Sequence, residues 1–293
     1  MLCNEVTYTL MPSTSTPIDL ELSRKSDTIA RLCNLPRLDP SAARLLGVPD
    51  DIDSALEEFG AIFSTDPSLA AELLRVANSA QFELRASVSN LQFALMMLGI
   101  EGTRNLAFTI ALRSYVHRGL SSAQVRPLWL HSVATAVIAE QIGKCVAVES
   151  GDLFTAGLTH DLGRLGLLQS QGRRYAETLS KTFTCMDEAN AMEKILFGMT
   201  HAEAGGHLAQ TWGFPSILGR SIRAHHDCLT EDHGRSLRIV QQACIVAANL
   251  GYPELENCPV AEADEAFRDE FQSRPELAPE RLKALIQLRT QAD

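Results

Sequence analysis

At 293 residues the chain can bury a substantial core, either as one large domain or as two modest ones. Hydrophobic residues make up 45% and charged residues 21%, the balance of an ordinary globular protein and not of a disordered or fibrous one. The formal net charge of −10 argues against a nonspecific nucleic-acid binder, which needs a basic surface to displace counterions, and the Arg173-Arg174 pair is too small to make one.

Residues 1–26 combine Pro12 and Pro17 with several Ser and Thr and read as a flexible polar leader. From there the periodicity is helical nearly throughout. Asp66-Pro67 predicts a helix start, because Asp66 can accept from free N–H groups and Pro67 loses no bond at the first helical position. Leu69, Leu73, Val76 and Ala80 then share one face, as do Phe108, Leu112, Tyr115 and Val116 further on. Met96-Met97 is read as core. Ser89 with Gln92, and Thr200 with Glu203, fit reciprocal capping boxes. Gly99, Gly102, Gly119, Gly198, Gly213-Phe214-Pro215 and Gly251-Tyr252-Pro253 read as stops and turns. With no sustained period-two alternation, the expected fold is all-α, a multi-helix array. Residues 27–120 form its helical N-terminal lobe, without candidate ligands, and 121–252 a second lobe with almost every histidine. Residues 253–293 read as a peripheral acidic tail with one helix.

The seven cysteines are scattered, with no C-x-x-C, so neither a zinc ribbon nor a thioredoxin-type motif is expected. Reduced thiols in a cytoplasmic protein are the simplest reading. No basic region leads into an apolar run at the N-terminus, and no apolar stretch is long enough for a bilayer, so neither a secretory signal nor a membrane partner is expected.

The chemistry concentrates on histidines. In a helix expected around 126–146, His131 shares the apolar face with Thr135, Ile138 and Ile142. A single helix around 151–168 would carry His160 and Asp161 in its buried arc, with Arg164 one turn on. A buried aspartate is costly without a partner, which a metal, an arginine or a protonated imidazole could supply. His201 and His225-His226 add imidazoles, and Asn249 is expected to face inward from a later helix. Such a mixed imidazole–carboxylate set suits divalent Fe, Mn or Zn better than Ca or Mg. His225 and His226, adjacent on a helix, would point about 100° apart, so joint ligation by both is demanding. His207 and His233 read as surface residues.

His131, His160-Asp161 and a polar residue on a later helix resemble the pattern of HD metal-dependent phosphohydrolases. A broader series resembles the HD-related output domain, HDOD, of bacterial signalling proteins. It runs from Leu35-Pro36 through Asp66-Pro67-Ser68-Leu69-Ala70, Arg75-Val76-Ala77-Asn78-Ser79-Ala80, Leu98-Gly99 and Leu128-Trp129-x-His131. It continues with His160-Asp161-Leu162-Gly163-Arg164, Phe197-Gly198-x-x-His201-Ala202-Glu203-x-Gly205, Trp212-Gly213-Phe214-Pro215 and His225-His226-Asp227. The resemblance covers roughly residues 28–252 and assigns 27–252 to an HDOD domain with an HD-like lobe at 121–252. It implies a regulatory module in signal transduction that acts through a protein partner.

Departures from the catalytic pattern shape the functional expectation. Asn249 stands where an HD enzyme would place its final Asp ligand, and a neutral amide is a weaker donor. Arg164 stands where such enzymes carry lysine. The Gly-Tyr-Pro element of cyclic di-GMP phosphodiesterases is missing after His225-His226. Gly251-Tyr252-Pro253 spells it one helix too late and is read as coincidence. His160-Asp161 is therefore read first as a buried pair that fixes helix packing, in a catalytically inactive module with no cofactor expected and no catalytic residue assigned. The alternatives are a metal-dependent phosphohydrolase acting on nucleotides or cyclic dinucleotides, and a nucleotide sensor that does not hydrolyse. In either, His131, His160, Asp161, His201, His225 and His226 would gather around the ion, with Arg164 and Asn249 in the pocket.

Overall fold

The computed structural model describes residues 17–78, 90–118, 120–146, 150–227 and 234–290. These contain α-helices and no strand. In chain order the helices are α1 (Pro17–Cys33), α2 (Pro40–Leu45), α3 (Ile52–Thr65), α4 (Pro67–Ala77), α5 (Leu91–Val116), α6 (Ser122–Val146), α7 (Ser150–Thr159) and α8 (Leu162–Gln171). There follow α9 (Arg173–Leu179), α10 (Met186–Phe197), α11 (His201–Thr211), α12 (Ser216–Ala224), α13 (Arg235–Asn249), α14 (Glu265–Gln272) and α15 (Pro279–Thr290).

Local chemistry explains several boundaries. Pro67 opens α4, and the Asp66 carboxylate accepts from the Leu69 N–H at 3.0 Å. Helix α11 begins with the full capping box: Thr200 accepts from the Glu203 N–H, and Glu203 accepts from the Thr200 N–H at 2.8 Å. At the start of α5 the cap is Asn90, whose side chain accepts from the Phe93 N–H at 2.8 Å. The expected box of Ser89 and Gln92 is not what starts this helix, and Ser89 lies outside the described residues. Nor does Gly99 stop it. With φ 72° and ψ 172°, Gly99 kinks α5, and the helix resumes on the far side.

Helix α6 is the axis of the HD-like lobe. It is buried on every side from His131 to Glu140, and α7, α13 and α15 pack around it. Gly157 lets α7 approach closely: a Cβ there would sit 2.7 Å from the Ala136 Cα. Helix α11 lies between α8 and α12, and α1 closes over α8, α10 and α11. One continuous core joins Leu32, Phe59, Phe108, Ile138, Leu165 and Ile286, so the two expected lobes share a single interior.

Four expectations are corrected. The polar leader is helical from Pro17, as the first part of α1, whose second half carries the buried Thr28 and Leu32 that pack on the body of the protein. The acidic tail is not peripheral: Leu255, Leu277, Leu282 and Ile286 are buried beneath its charged residues. Met96 and Met97 are exposed, at 74% and 47%, because Ala94 and Leu95 take the buried face of the first segment of α5 and the two methionines lie on its other side. The helix expected over 151–168 is two helices, broken at His160-Asp161.

Candidate metal centre

That break is what makes the site. Between α7 and α8 the chain leaves helical geometry for two residues, so His160 and Asp161 turn into the same buried space from a bend. His131 comes from α6, His201 from the first position of α11, and Cys244 from α13. His225 and His226 follow the end of α12 in a turn, which frees them from helical spacing and brings their ring centroids to 4.1 Å. The objection to joint ligation by adjacent residues therefore does not apply. Two groups of potential ligand atoms result, each with all atoms within 4.8 Å of one another: Asp161, His201, His225, His226 and Glu254, and beside them His131, His160 and Cys244.

The ring tautomers follow from the outer contacts. His131 Nδ1 lies 2.8 Å from the Tyr252 carbonyl, His160 Nδ1 2.7 Å from that of Gly157, and His225 Nδ1 2.6 Å from that of Ile222. A carbonyl only accepts, so each Nδ1 carries the proton and donates it. His201 Nδ1 donates likewise to Glu193 Oε2 at 2.8 Å. In the neutral rings each Nε2 is then a bare lone pair, and these lone pairs face one another. His131 and His160 Nε2 are 3.2 Å apart, and His201 and His225 Nε2 3.2 Å. His226 differs: its Nε2 lies 3.2 Å from Glu254 Oε1, an acceptor, so this nitrogen carries the proton, and it sits 3.0 Å from the His201 Nε2 lone pair.

A buried charge network surrounds the rings. Arg164 is 1% exposed; its Nε donates to Glu254 Oε1 at 2.9 Å, its Nη2 to the same oxygen, and its Nη1 to Glu193 Oε1 at 3.0 Å. The Tyr175 hydroxyl donates to Glu193 Oε1 at 2.7 Å. Burial opposes ionisation of Glu193, but His201 and Arg164 hold it down to about 2. For Asp161, burial and Glu254 push upward and Arg164 with His160 more than offset them, so it stays ionised. Burial pushes His160 down to about 3 and His225 to about 4, keeping both rings neutral as ligands must be. Burial lowers His226 as well, yet the Glu254 carboxylate beside it leaves its pKa raised. Burial and Glu254 hold the Cys244 thiol well above its usual range.

A divalent ion fits these residues. Both Asp161 oxygens are buried without a hydrogen bond among the described residues, the nearest nitrogens being Arg164 Nε and His201 Nε2, both at 3.4 Å, and His225 Nε2 at 3.6 Å. An orphaned, ionised carboxylate facing bare imidazole lone pairs is costly unless a cation lies among them. Two nitrogens about 2.05 Å from one tetrahedral metal lie about 3.3 Å apart, close to the spacing of these Nε2 atoms. The carboxylates Asp161, Glu193 and Glu254 outnumber the one guanidinium of Arg164, an excess of buried negative charge that a divalent ion would offset. The contacts of the Nδ1 atoms are the outer-shell bonds that orient metal-bound histidines.

All six candidate ligands lie in the two groups, and Arg164 lies among them. Asn249 does not: it is exposed at the end of α13, and the side chain that enters from this helix is Cys244, more than one turn earlier. The missing carboxylate comes instead from Glu254. Gly251, at φ 99°, reverses the chain after α13 and carries Tyr252-Pro253-Glu254 back over the site. The Gly-Tyr-Pro letters thus belong to the centre, where Tyr252 supplies the carbonyl for His131. Sequence reading missed Cys244, Glu254 and Glu193. A turn directly followed by an acid was the available signal for Glu254; Glu193 gave none.

A cavity of about 450 Å³ opens onto the centre between His225, His226, Gln241, Cys244, Pro253 and Glu254. No lysine or arginine lines it among the described residues. No helix among the described residues is long and apolar enough to cross a membrane.

Comparison with known proteins agrees with this architecture. A curated relative, an uncharacterized protein of Treponema pallidum (strain Nichols), is 24% identical over 222 residues, covering 72% of this chain; the match spans only 42% of that protein's length. An HDOD domain protein with unknown function from Geobacter sulfurreducens superposes with a TM-score of 0.70 at 21% identity, covering 94% of this chain and 98% of its own. A protein from Marinobacter aquaeolei VT8, provisionally named for signal transduction, gives 0.67 at 19% identity over 96% of this chain and 66% of its own. One from Shewanella amazonensis SB2B, provisionally named a metal-dependent phosphohydrolase, gives 0.62 at 18% over 94% and 98%. At such identities these structures establish the shared fold alone. The HDOD domain family matches residues 35–228, two-thirds of the sequence, and the chain belongs to that family.

Proposed function

We propose that this chain is a regulatory signal-transduction module that holds a divalent transition metal, Fe, Mn or Zn, and acts in the cytoplasm through a protein partner without hydrolysing phosphate esters. The observation that carries this reading is the commitment of the site's cation. Arg164 is spent on Glu254 and Glu193, and among the described residues no lysine or arginine lines the cavity at the centre to meet a phosphate. His131, His160, Asp161, His201, His225, His226 and Glu254 would hold the metal, and the Arg164 network would fix their positions. Unpaired Cys33, Cys145, Cys185, Cys244 and Cys258 are consistent with a reducing compartment.

The loss of an anionic ligand at Asn249 no longer supports inactivity, since Glu254 stands in. A second reading, a metal-dependent phosphohydrolase acting on a nucleotide or cyclic dinucleotide, is therefore favoured by one observation: the orphaned Asp161 oxygens beside an open cavity. A bound metal would there acidify water and polarise a phosphoryl oxygen. The two readings separate on protein purified without chelators, with bound metal measured and hydrolysis of cyclic di-GMP, guanosine tetraphosphate and a generic phosphodiester assayed. Stoichiometric metal without turnover is the expected result. Turnover that disappears in His160→Ala would establish the enzyme instead.

A further inference from the structure

We propose that Cys244 is a thiolate ligand, and that with His131 and His160 it forms a second, softer metal subsite selective for zinc-like ions. The inference rests on the reading that the centre binds metal. Cys244 Sγ lies 3.4 Å from His131 Nε2, and His131 Nε2 lies 3.2 Å from His160 Nε2. A sulfur about 2.3 Å and a nitrogen about 2.05 Å from one tetrahedral ion are about 3.6 Å apart, close to this arrangement. Both rings are locked by bonds from Nδ1 to backbone carbonyls, so their lone pairs aim at the sulfur side whether or not an ion is present.

Hydrogen bonding alone does not satisfy the trio. The thiol has one proton, and it can serve His131 Nε2 or another acceptor, leaving the fully buried His160 Nε2 facing a lone pair. A metal ion satisfies all three atoms at once: it bonds Sγ and both Nε2 atoms while the thiol proton leaves to solvent. Asp161 Oδ2, 3.9 Å from His160 Nε2, and Glu254 Oε2, 3.9 Å from Cys244 Sγ, are the carboxylates placed to complete the coordination and to join this subsite to the other. One thiolate with two imidazoles is softer than the neighbouring set of two carboxylates and three imidazoles, so the two subsites would sort metals by type.

The test is cobalt(II) titration into the chelator-stripped full chain, followed by absorption. Expected are visible bands from bound cobalt and a near-ultraviolet sulfur-to-cobalt charge-transfer band. In Cys244→Ser the charge-transfer band should vanish while cobalt still binds through the other group, with helix content unchanged by circular dichroism. Cobalt binding without the charge-transfer band, or a band that survives in Cys244→Ser, would overturn the thiolate assignment and leave the metal centre standing. Absence of any cobalt binding would overturn both.

Discussion

Glu193 holds His201 by two atoms at once: its Oε2 accepts from the His201 backbone N–H at 2.7 Å and from Nδ1 at 2.8 Å. The same carboxylate accepts from Tyr175 and Arg164 through its other oxygen. Glu193 therefore fixes both the start of α11 and the direction of one imidazole. In Glu193→Gln the size is kept but the charge is lost, and a carboxamide is a weaker acceptor for the ring N–H. Metal affinity, read by competition with a coloured chelator, is expected to fall about 10- to 100-fold, the usual cost of losing an outer-shell partner. Unchanged affinity would mean that the carboxylate only packs.

Asn249 and Glu254 exchange the roles the sequence suggested for them. Asn249→Asp is expected to leave metal affinity unchanged, because the side chain is in solvent at the end of α13. Glu254→Gln is expected to weaken binding and also to release Arg164 from its main partner. A rise in affinity in Asn249→Asp, measured by the same competition, would place that residue in the centre after all.

The sequence made the all-α class and the six histidine and aspartate candidates legible because helical periodicity and paired ligand residues are local signals. What it hid depends on tertiary geometry. The break at His160-Asp161 is not marked by proline, and it runs through an apolar stretch that continues the helical period on both sides. Asn249 is expected inward, yet in the last turn of α13 Val246 and Ala247 take the buried side and Asn249 is left exposed where the helix ends. Glu254 arrives from beyond the expected domain boundary, since the turn at Gly251 folds the next segment back over the cavity. Met96 and Met97 are apolar, yet they lie on the face of α5 opposite the buried Ala94 and Leu95, which composition alone does not reveal.

Gly163 is the closest backbone approach beneath the centre. A Cβ there would lie 1.7 Å from the His201 carbonyl oxygen and 2.6 Å from the Gly205 nitrogen, both main-chain atoms that cannot swing aside. Gly163→Ala must therefore push α8 and α11 apart, which is expected to cost at least the ~1–3 kcal/mol typical of an overpacked core and to displace His201. A lower melting temperature together with weaker metal binding would show it. Gly60→Ala is the control: Gly60 lies on the exposed face in the middle of α3, nothing lies within 4 Å of a Cβ there, and a gain of roughly 0.5–1 kcal/mol is expected from helix propensity. Equal effects from the two substitutions would refute the packing argument.

Arg164 and a metal ion answer the same charge, and their contributions should be interdependent. The guanidinium pairs with Glu254 and Glu193 and lies 3.4 Å from Asp161, all four groups being buried. Removing one partner of a buried ionic network leaves the others uncompensated, at a cost of about 3–5 kcal/mol. Arg164→Met retains much of the side-chain volume and so isolates the charge. The variant is expected to melt well below the parent in chelator and to recover part of that difference in saturating zinc or manganese, because the cation then balances the uncompensated carboxylates and binding adds about 2.7 kcal/mol at 100 times Kd. Calorimetry of both proteins with and without metal measures the coupling. If the gap between them is the same in both conditions, the guanidinium stabilises the fold independently of the centre, and the charge balance inferred for the site is wrong.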